Sequence, residues 1–208
     1  MQVWRERLQA SIAQSRKVYG GNFVQLATAG GDGRPHVRTV VFRGFAEDER
    51  AIRVISHSQA AKIAQARENP AAEVVWWFAK SSEQYRLSGR LQVVDSAESD
   101  GRLRDLRVSQ WKDLSDPARE QFFWPTPGKV VPEGCTDFKD LAPEPLPPGG
   151  REPENEAGKR PILAPPDTFV LLLFWPETVH YLKLGTNFAQ LDQWDDEHKR
   201  WTCKHVVP

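Results

Sequence analysis

Apolar and polar residues follow two different periods along this chain, and each period predicts one class of element. Between residues 3 and 19 apolar side chains recur every three to four positions, which predicts an amphipathic helix that ends at Gly20-Gly21. Shorter stretches are rich in β-branched and aromatic residues, as strands are. The predicted strands cover residues 22–28, 35–44, 51–56, 72–79, 84–95, 168–175, 178–184 and 201–207. Because most of them are joined by turns, the pattern predicts a mainly antiparallel β-barrel with flanking helices.

Capping residues predict three more helices. Ser58 fits the N-cap of a helix over residues 59–67, and Asp95 with Glu98 has the spacing of a capping box. Asp116-Pro117 fits the start of the third helix, since proline is preset for a first helical turn.

Several local features add expectations about packing. The run from Val74 to Phe78 is apolar at both odd and even positions, which predicts a strand buried on both faces. Gly89 interrupts an alternating strand, which indicates a bulge or the close approach of another backbone. The aromatic run Phe122-Phe123-Trp124 is expected to be buried, and the acidic stretch Glu47-Asp48-Glu49 is expected to form a turn.

Length and composition favour one domain over residues 1–208. At 208 residues and 23.6 kDa, the chain suffices for a single buried core. Between Pro125 and Pro166 lie 11 of the 16 prolines and few large apolar residues. We therefore expect residues 128–167 to form a proline-rich excursion rather than a second domain.

Charge and cysteine usage exclude several classes of function. The 28 basic and 28 acidic residues give a formal net charge of zero, which argues against a nucleic-acid partner. Without an apolar run of about 18 residues, no membrane span is predicted. The N-terminus lacks the apolar core of a signal peptide, so a cytoplasmic location is expected. Cys135, Cys203 and the five histidines lack metal-ligand spacing, so no metal site is predicted.

The candidate chemistry lies in two neighbouring stretches. Arg38 and Arg43 bracket a β-branched strand, and Lys62 falls in the first turn of a helix, where anions bind well. Ser56 adds a hydroxyl donor and Gln84 an amide at a strand start. Each of these residues alone also fits a solvated surface position. Residues five apart point to opposite strand faces, so the two arginines are expected to do different jobs.

The order of these residues resembles that of the pyridoxamine 5'-phosphate oxidase-like family of FMN-binding split barrels. The resemblance rests on the strand Arg38-Thr39-Val40-Val41-Phe42-Arg43-Gly44-Phe45 and on Ser56, Lys62, Gln84 and the Trp124–Gly128 stretch. It implies an antiparallel split barrel that forms a homodimer, with FMN at the subunit interface. It also implies a phosphate site of Arg38, Ser56 and Lys62, with Arg43 and Gln84 near the isoalloxazine ring. The backbone of Thr39, Val40 and Val41 would line the flavin.

Two departures from the family pattern bear on activity. Ala61 stands where the oxidase has an arginine, and residues 185–191 lack its C-terminal Arg/His motif. These differences argue against oxidation of vitamin B6 phosphates and leave the substrate and electron donor open. Three hypotheses follow: an FMN-dependent oxidoreductase, a non-catalytic flavin-binding module, and a haem-binding split barrel with His36, His57 or His180 as a candidate ligand.

Overall fold

The computed structural model describes residues 3–46, 50–142 and 146–208, so the predicted turn Glu47-Asp48-Glu49 lies outside the described residues. The chain divides into two compact units. The first unit comprises Met1–Val54, Gln65–Gln92 and Leu172–Pro208, and the second comprises Ile55–Ala64 and Val93–Leu171. The expectation of a single domain with a proline-rich excursion stays a prediction.

The described residues form helices α1 to α4 and strands β1 to β8. The helices are α1 Val3–Ser15, α2 Ala61–Glu68, α3 Gly101–Lys112 and α4 Asp116–Glu120. The strands are β1 Phe23–Ala29, β2 Pro35–Val41, β3 Ile52–His57, β4 Ala71–Phe78, β5 Glu83–Val94, β6 Phe169–Lys183, β7 Phe188–Asp195 and β8 Arg200–Val206. Short 3₁₀ turns lie at Gln121–Phe123, Phe138–Leu141, Pro148–Gly150 and Leu184–Thr186.

The eight strands belong to one antiparallel sheet. Their order is β2-β1-β4-β5-β6-β7-β8, with β3 paired to β6. In β1, β4 and β5 the buried side chains alternate with more accessible ones, as expected for strands that cover a core with one face. The predicted mainly antiparallel β fold with flanking helices is confirmed.

Helix α1 ends four residues earlier than its apolar spacing predicted. Trp4 and Leu8 are fully buried, whereas Tyr19, which was expected to extend the same face, is 95% exposed. The helix stops at Ser15 because the chain turns there: the Val18 N–H donates to the Ser15 carbonyl over 2.9 Å.

The predicted cap of α2 is wrong, because the helix begins at Ala61 and not at Gln59. Residues before it form a separate turn, in which the Ala60 N–H donates to the His57 carbonyl over 3.0 Å. The backbone N–H of Ser58 donates to the Thr168 carbonyl over 2.8 Å. Ser58 therefore precedes the helix instead of capping it, and Lys62 remains in the first helical turn.

The predicted capping box of α3 is also wrong. Its N-cap is Asp100, whose carboxylate accepts hydrogen bonds from the backbone N–H groups of Arg102 and Leu103 over 2.8 and 3.2 Å. Asp95 instead accepts the Ala97 N–H over 2.9 Å, so it stabilises a preceding turn. Short side-chain-to-backbone bonds of this kind compete with helix starts.

Three strand predictions need correction. β4 is not buried on both faces, since Trp77 is 45% exposed while its neighbours Trp76 and Phe78 are buried. β6 is one 15-residue strand that continues through Pro176, where two strands were predicted. β7 was not predicted at all. The predicted close approach at Gly89 is confirmed, because a Cβ there would lie 2.0 Å from the Trp175 carbonyl oxygen.

The second unit has an aromatic core to which the proline-rich stretch contributes. Trp111, Phe122 and Phe169 are buried and pack ring against ring. The indole N–H of Trp111 donates to the Leu163 carbonyl over 2.7 Å, which fastens the end of the proline-rich stretch to this core. Of the predicted aromatic cluster, Phe122 is buried and the two aromatic residues after it are half-buried.

Candidate functional site

Arg38 lies in β2 of the first unit, on the face that Val40 turns towards the core. It is opposite Leu26 in the register of β1 and β2. Its guanidinium donates to the Leu26 carbonyl over 3.1 Å, to Thr28 Oγ1 over 2.7 Å and to Gln65 Oε1 over 2.9 Å. All three partners are neutral oxygens, so they fix the side chain without cancelling its charge. Burial lowers the pKa of the Arg38 guanidinium.

Thr39, Val41 and Gln84 share the opposite face of the sheet in the first unit. Side chains alternate along strands, and Gln84 of β5 lies directly opposite Trp77 of β4 on this outward face. The same face carries Val37, which is 65% exposed, and Trp77, which is 45% exposed. Three of the residues predicted to lie along the flavin are thus placed beside exposed apolar side chains.

Arg43 lies beyond the end of β2, where the sequence predicted that the strand would continue to Gly44. The chain still pairs there, because the Arg43 N–H donates to the Arg53 carbonyl over 2.9 Å and the Arg53 N–H to the Gly44 carbonyl over 2.8 Å. The Arg43 side chain is half-buried, and burial lowers its pKa. Its Nε atom is buried and has no hydrogen-bond partner among the described residues.

Ser56 and Lys62, both in the second unit, are brought together by the structure. Ser56 is 5% exposed near the end of β3, and Lys62 is the second residue of α2. The Lys62 ammonium donates to Ser56 Oγ over 3.1 Å. The pair thus joins a cation and a hydroxyl at the start of a helix, where backbone N–H groups also favour an anion.

His57 lies between them in sequence and is 9% exposed. Its Nδ1 accepts the Gln59 N–H over 3.2 Å, while its Nε2 is buried and has no partner in the part of the chain that the structure describes. Burial lowers the pKa of His57, and the charge of Lys62 lowers it further. The sequence suggested His57 only as a candidate haem ligand, since its position after a strand gives no other signal.

A cavity of about 640 Å³ lies elsewhere in the first unit. Its walls include Trp175 and Trp194, and the Arg50 guanidinium stacks 3.6 Å from the centroid of the Trp194 ring. The Trp175 indole N–H donates to Gln92 Oε1 over 3.0 Å. The sequence did not predict this cavity, because its walls come from stretches far apart along the chain.

Among the residues that the structure describes, no group of three or more His, Cys, Asp or Glu side chains is arranged to hold a metal ion. None of the helices within residues 3–46, 50–142 and 146–208 is long and apolar enough to span a membrane.

Comparison with known proteins identifies the family. The model of the pyridoxamine 5'-phosphate oxidase FMN-binding domain matches residues 1–95. Pyridoxine/pyridoxamine 5'-phosphate oxidase 2 of Arabidopsis thaliana is 31% identical over 209 residues, which covers 99% of this chain and 96% of that protein. The chain belongs to the pyridoxamine 5'-phosphate oxidase-like family. The cofactor that the sequence predicted, FMN, is the one for which the matched domain is described.

Two further members show how far the similarity extends. A pyridoxamine 5'-phosphate oxidase-related, FMN binding protein from Nostoc punctiforme is 32% identical in sequence to this chain, and its crystal structure superposes on this structure with a TM-score of 0.83. That match covers 100% of this chain and 99% of the other. By contrast, the pyridoxine/pyridoxamine 5'-phosphate oxidase of Trichormus variabilis is 34% identical over only 94 residues, 43% of each chain. The family assignment and the split-barrel fold predicted from the sequence are confirmed.

Each unit contains side chains whose chemistry suits a part of FMN. In the second unit Ser56 and Lys62 offer a hydroxyl and an ammonium, as a phosphate dianion requires. In the first unit Arg43 has a buried donor atom without an acceptor, and a bound polar ring edge would satisfy it. Arg38 keeps a positive charge that its neutral partners do not cancel.

Proposed function

We propose that this protein is an FMN-dependent oxidoreductase in which Arg38, Ser56 and Lys62 hold the cofactor's phosphate. The observation that carries the proposal is the hydrogen bond of 3.1 Å from Lys62, in the first turn of α2, to Ser56 of β3. The chain that forms this bond belongs to an FMN-binding family. A phosphate monoester is best bound by cations and neutral donors at a helix start, where the helix dipole adds to their effect.

The isoalloxazine ring is assigned to Arg43 and Gln84, with the backbone of Thr39, Val40 and Val41 along it. The buried Nε of Arg43 supports this assignment, because an unpaired buried donor is costly and a ring oxygen or nitrogen would accept its hydrogen bond. FMN, once bound, supplies the electron transfer, and the chain's own residues bind and orient it. We assign no side chain as an acid or base.

A homodimer with the flavin at the subunit interface is part of the proposal. The outward face of the sheet supports it, since Trp77 and Val37 are exposed on the same face as Gln84 and Thr39. Exposed apolar side chains on one face of a sheet favour contact with a partner surface. Trp77→Lys should therefore shift the protein from dimer to monomer in light scattering after gel filtration. A dimer that withstands this change would contradict the assignment of this face.

The first test is the absorbance spectrum of the purified protein, followed by titration with FMN and with riboflavin, which lacks the phosphate. Lys62→Met and Arg38→Gln should each weaken FMN binding by about 10- to 100-fold, the usual range for a hydrogen bond to a charged group. Riboflavin binding should change little. Arg34→Gln is the matched control, because it removes a positive charge from a side chain that is 82% exposed and paired with Asp32. A colourless protein that takes up no FMN would contradict the proposal.

A flavin-binding module without turnover is the second candidate. One observation favours it: residues 185–191, which run from a 3₁₀ turn into β7, lack the Arg and His of the oxidase motif. The two functions differ in turnover. If bound FMN is reduced by NAD(P)H or an amine and oxidised again by dioxygen over many cycles, the protein is an enzyme. A Soret band in the same spectrum would support the haem hypothesis.

A further inference from the structure

His57 presents a single hydrogen-bond donor whose position is fixed by its own turn. Its Nδ1 accepts the backbone N–H of Gln59 over 3.2 Å, so this nitrogen carries no proton. An imidazole whose Nδ1 accepts a hydrogen bond is the neutral form, and burial and the nearby Lys62 charge lower the pKa of His57 in the same direction. The proton of the neutral ring therefore lies on Nε2. The hydrogen bond to Nδ1 thus fixes the tautomer of His57 and makes Nε2–H its hydrogen-bond donor.

This donor lacks an acceptor within the described part of the protein. The side chain is 9% exposed, and Nε2 is buried without a partner. Buried ring N–H groups in proteins nearly always have an acceptor, so the unpaired one points to a ligand atom. The neighbouring side chains indicate which kind: Ser56 and Lys62 are bonded to each other, and both suit an anion.

We propose that His57 donates its Nε2–H to an oxygen of the cofactor's phosphate, as a further side-chain donor beside Ser56 and Lys62 of the same unit. This inference rests on the proposed function, because it assigns a further residue to the same phosphate. A neutral donor is suited to this position, as it adds a hydrogen bond without adding another positive charge. Because the turn before α2 supplies the Gln59 N–H that binds Nδ1, the same turn also fixes the direction of the Nε2–H group.

Two substitutions separate the turn from the donor. His57→Asn keeps an oxygen that can accept the Gln59 N–H but has no atom that reaches the position of Nε2. His57→Gln keeps an N–H near that position and loses the acceptor for Gln59. His198→Asn is the matched control, because that histidine lies in the β7–β8 turn with its side chain 56% exposed.

Dissociation constants for FMN and riboflavin are measured by flavin fluorescence for all four proteins, together with the melting temperature of each flavin-free protein. For His57→Asn we expect FMN binding about tenfold weaker, riboflavin binding unchanged and a melting temperature like that of the wild type. For His57→Gln we expect FMN binding closer to wild type and a lower melting temperature. In ¹⁵N-histidine-labelled wild type, the Nε2–H resonance should be present and should shift with FMN and with inorganic phosphate.

The outcomes distinguish the two proposals. If the wild type binds FMN and His57→Asn binds it equally well, or loses FMN and riboflavin alike, the inference about His57 is overturned and the proposed function stands. An Nδ1-protonated ring in the NMR spectrum also overturns it. If the wild type takes up no FMN, the proposed function fails, and the inference fails with it.

Discussion

Gly89 offers the sharpest test of the sheet that carries the candidate site. It lies in β5, where the backbone of β6 approaches so closely that a Cβ would lie 2.0 Å from the Trp175 carbonyl oxygen and 2.8 Å from Pro176 Cα. Both neighbours are backbone atoms, so no side-chain rotation relieves the clash. The perturbation is Gly89→Ala, which adds one methyl group.

The size of the effect follows from this geometry. A carbon and a carbonyl oxygen pack no closer than about 3.3 Å, so the two strands would have to separate by about 1.3 Å. Overpacking of this kind costs about 1–3 kcal/mol, and more where the backbone must move. For a chain of this size each kcal/mol lowers the melting temperature by about 2–4 °C. Because two backbone segments must separate, we take the upper end of the cost, about 3 kcal/mol, and expect a fall of about 6–12 °C. At an ordinary strand position, alanine would instead stabilise by about 0.5–1 kcal/mol relative to glycine.

Thermal and urea unfolding followed by circular dichroism measure this prediction. The control is Gly185→Ala, because a Cβ at Gly185 would meet nothing within 4 Å. We expect the control to change the free energy of unfolding by no more than about 0.5 kcal/mol. A Gly89→Ala protein that melts at or above the wild-type temperature would refute the reasoning, since the sign of the effect depends on the close approach.

Two further predictions concern side chains that satisfy buried or terminal groups. Glu83 is 6% exposed, and its carboxylate accepts hydrogen bonds from three hydroxyl groups. Burial alone would raise the pKa of Glu83. The three hydrogen bonds and the Lys183 charge outweigh burial and hold this pKa below its usual value. Its contribution to stability is therefore present above the unfolded-state pKa and is lost as the pH falls through the lowered folded-state pKa. In urea unfolding from about pH 7 to pH 3, the stability difference between wild type and Glu83→Gln should shrink as the pH falls, and a constant difference would contradict this. Asp100→Ala removes the N-cap of α3 and should cost about 1 kcal/mol, with a melting temperature about 2–4 °C lower, whereas an unchanged temperature would show that the cap does not contribute.

Several of the predicted strands bury large apolar side chains, as β1, β4 and β6 do. β7 was missed because its buried side chains include Gln190 and Asp192, which are 5% and 1% exposed. These polar groups are satisfied by each other over 2.7 Å and by Arg7, whose guanidinium donates to Gln190 Oε1 over 2.9 Å from a position 183 residues away. No local pattern of hydrophobicity contains that partner, so the burial of these residues could not be predicted from it.

The corrections to β4 and β6 have a similar physical basis. Trp77 is apolar but exposed on the outward face, and the sequence cannot tell a side chain that fills a core from one that remains on a surface. Two strands, over residues 168–175 and 178–184, were predicted where β6 runs without a break through Pro176, a residue that has no N–H to donate. The strand continues through it because Gly89 lets the backbone before Pro176 come close, so one glycine explains an error made 87 residues further on.

For the candidate site, the structure brings two of the predicted residues into contact but holds them differently from the prediction. Ser56 and Lys62 were expected to act together, and they form a hydrogen bond. The start of α2 was predicted wrongly, because the turn closed by His57 competes with a cap at Ser58. That error also hid how the His57 ring is held, since a helix beginning at residue 59 would have left no turn to fix it.

A chain of zero net charge can still hold a cation whose hydrogen-bond partners are neutral. The 28 acidic residues balance the 28 basic ones over the whole chain. Whether a particular charged side chain is compensated depends on whether its own hydrogen-bond partners carry the opposite charge. Asp116 is bonded to Arg119 and Arg151, and the pKa of its carboxyl is lowered mainly by the bond from Arg151, so these charges compensate each other. The Arg38 guanidinium is held by a carbonyl, a hydroxyl and an amide oxygen instead, and its charge remains available to a ligand. Since a cation fixed by neutral oxygens needs no rearrangement when an anion arrives, the neutral residues around Arg38 are as much a part of the proposed phosphate site as the arginine itself.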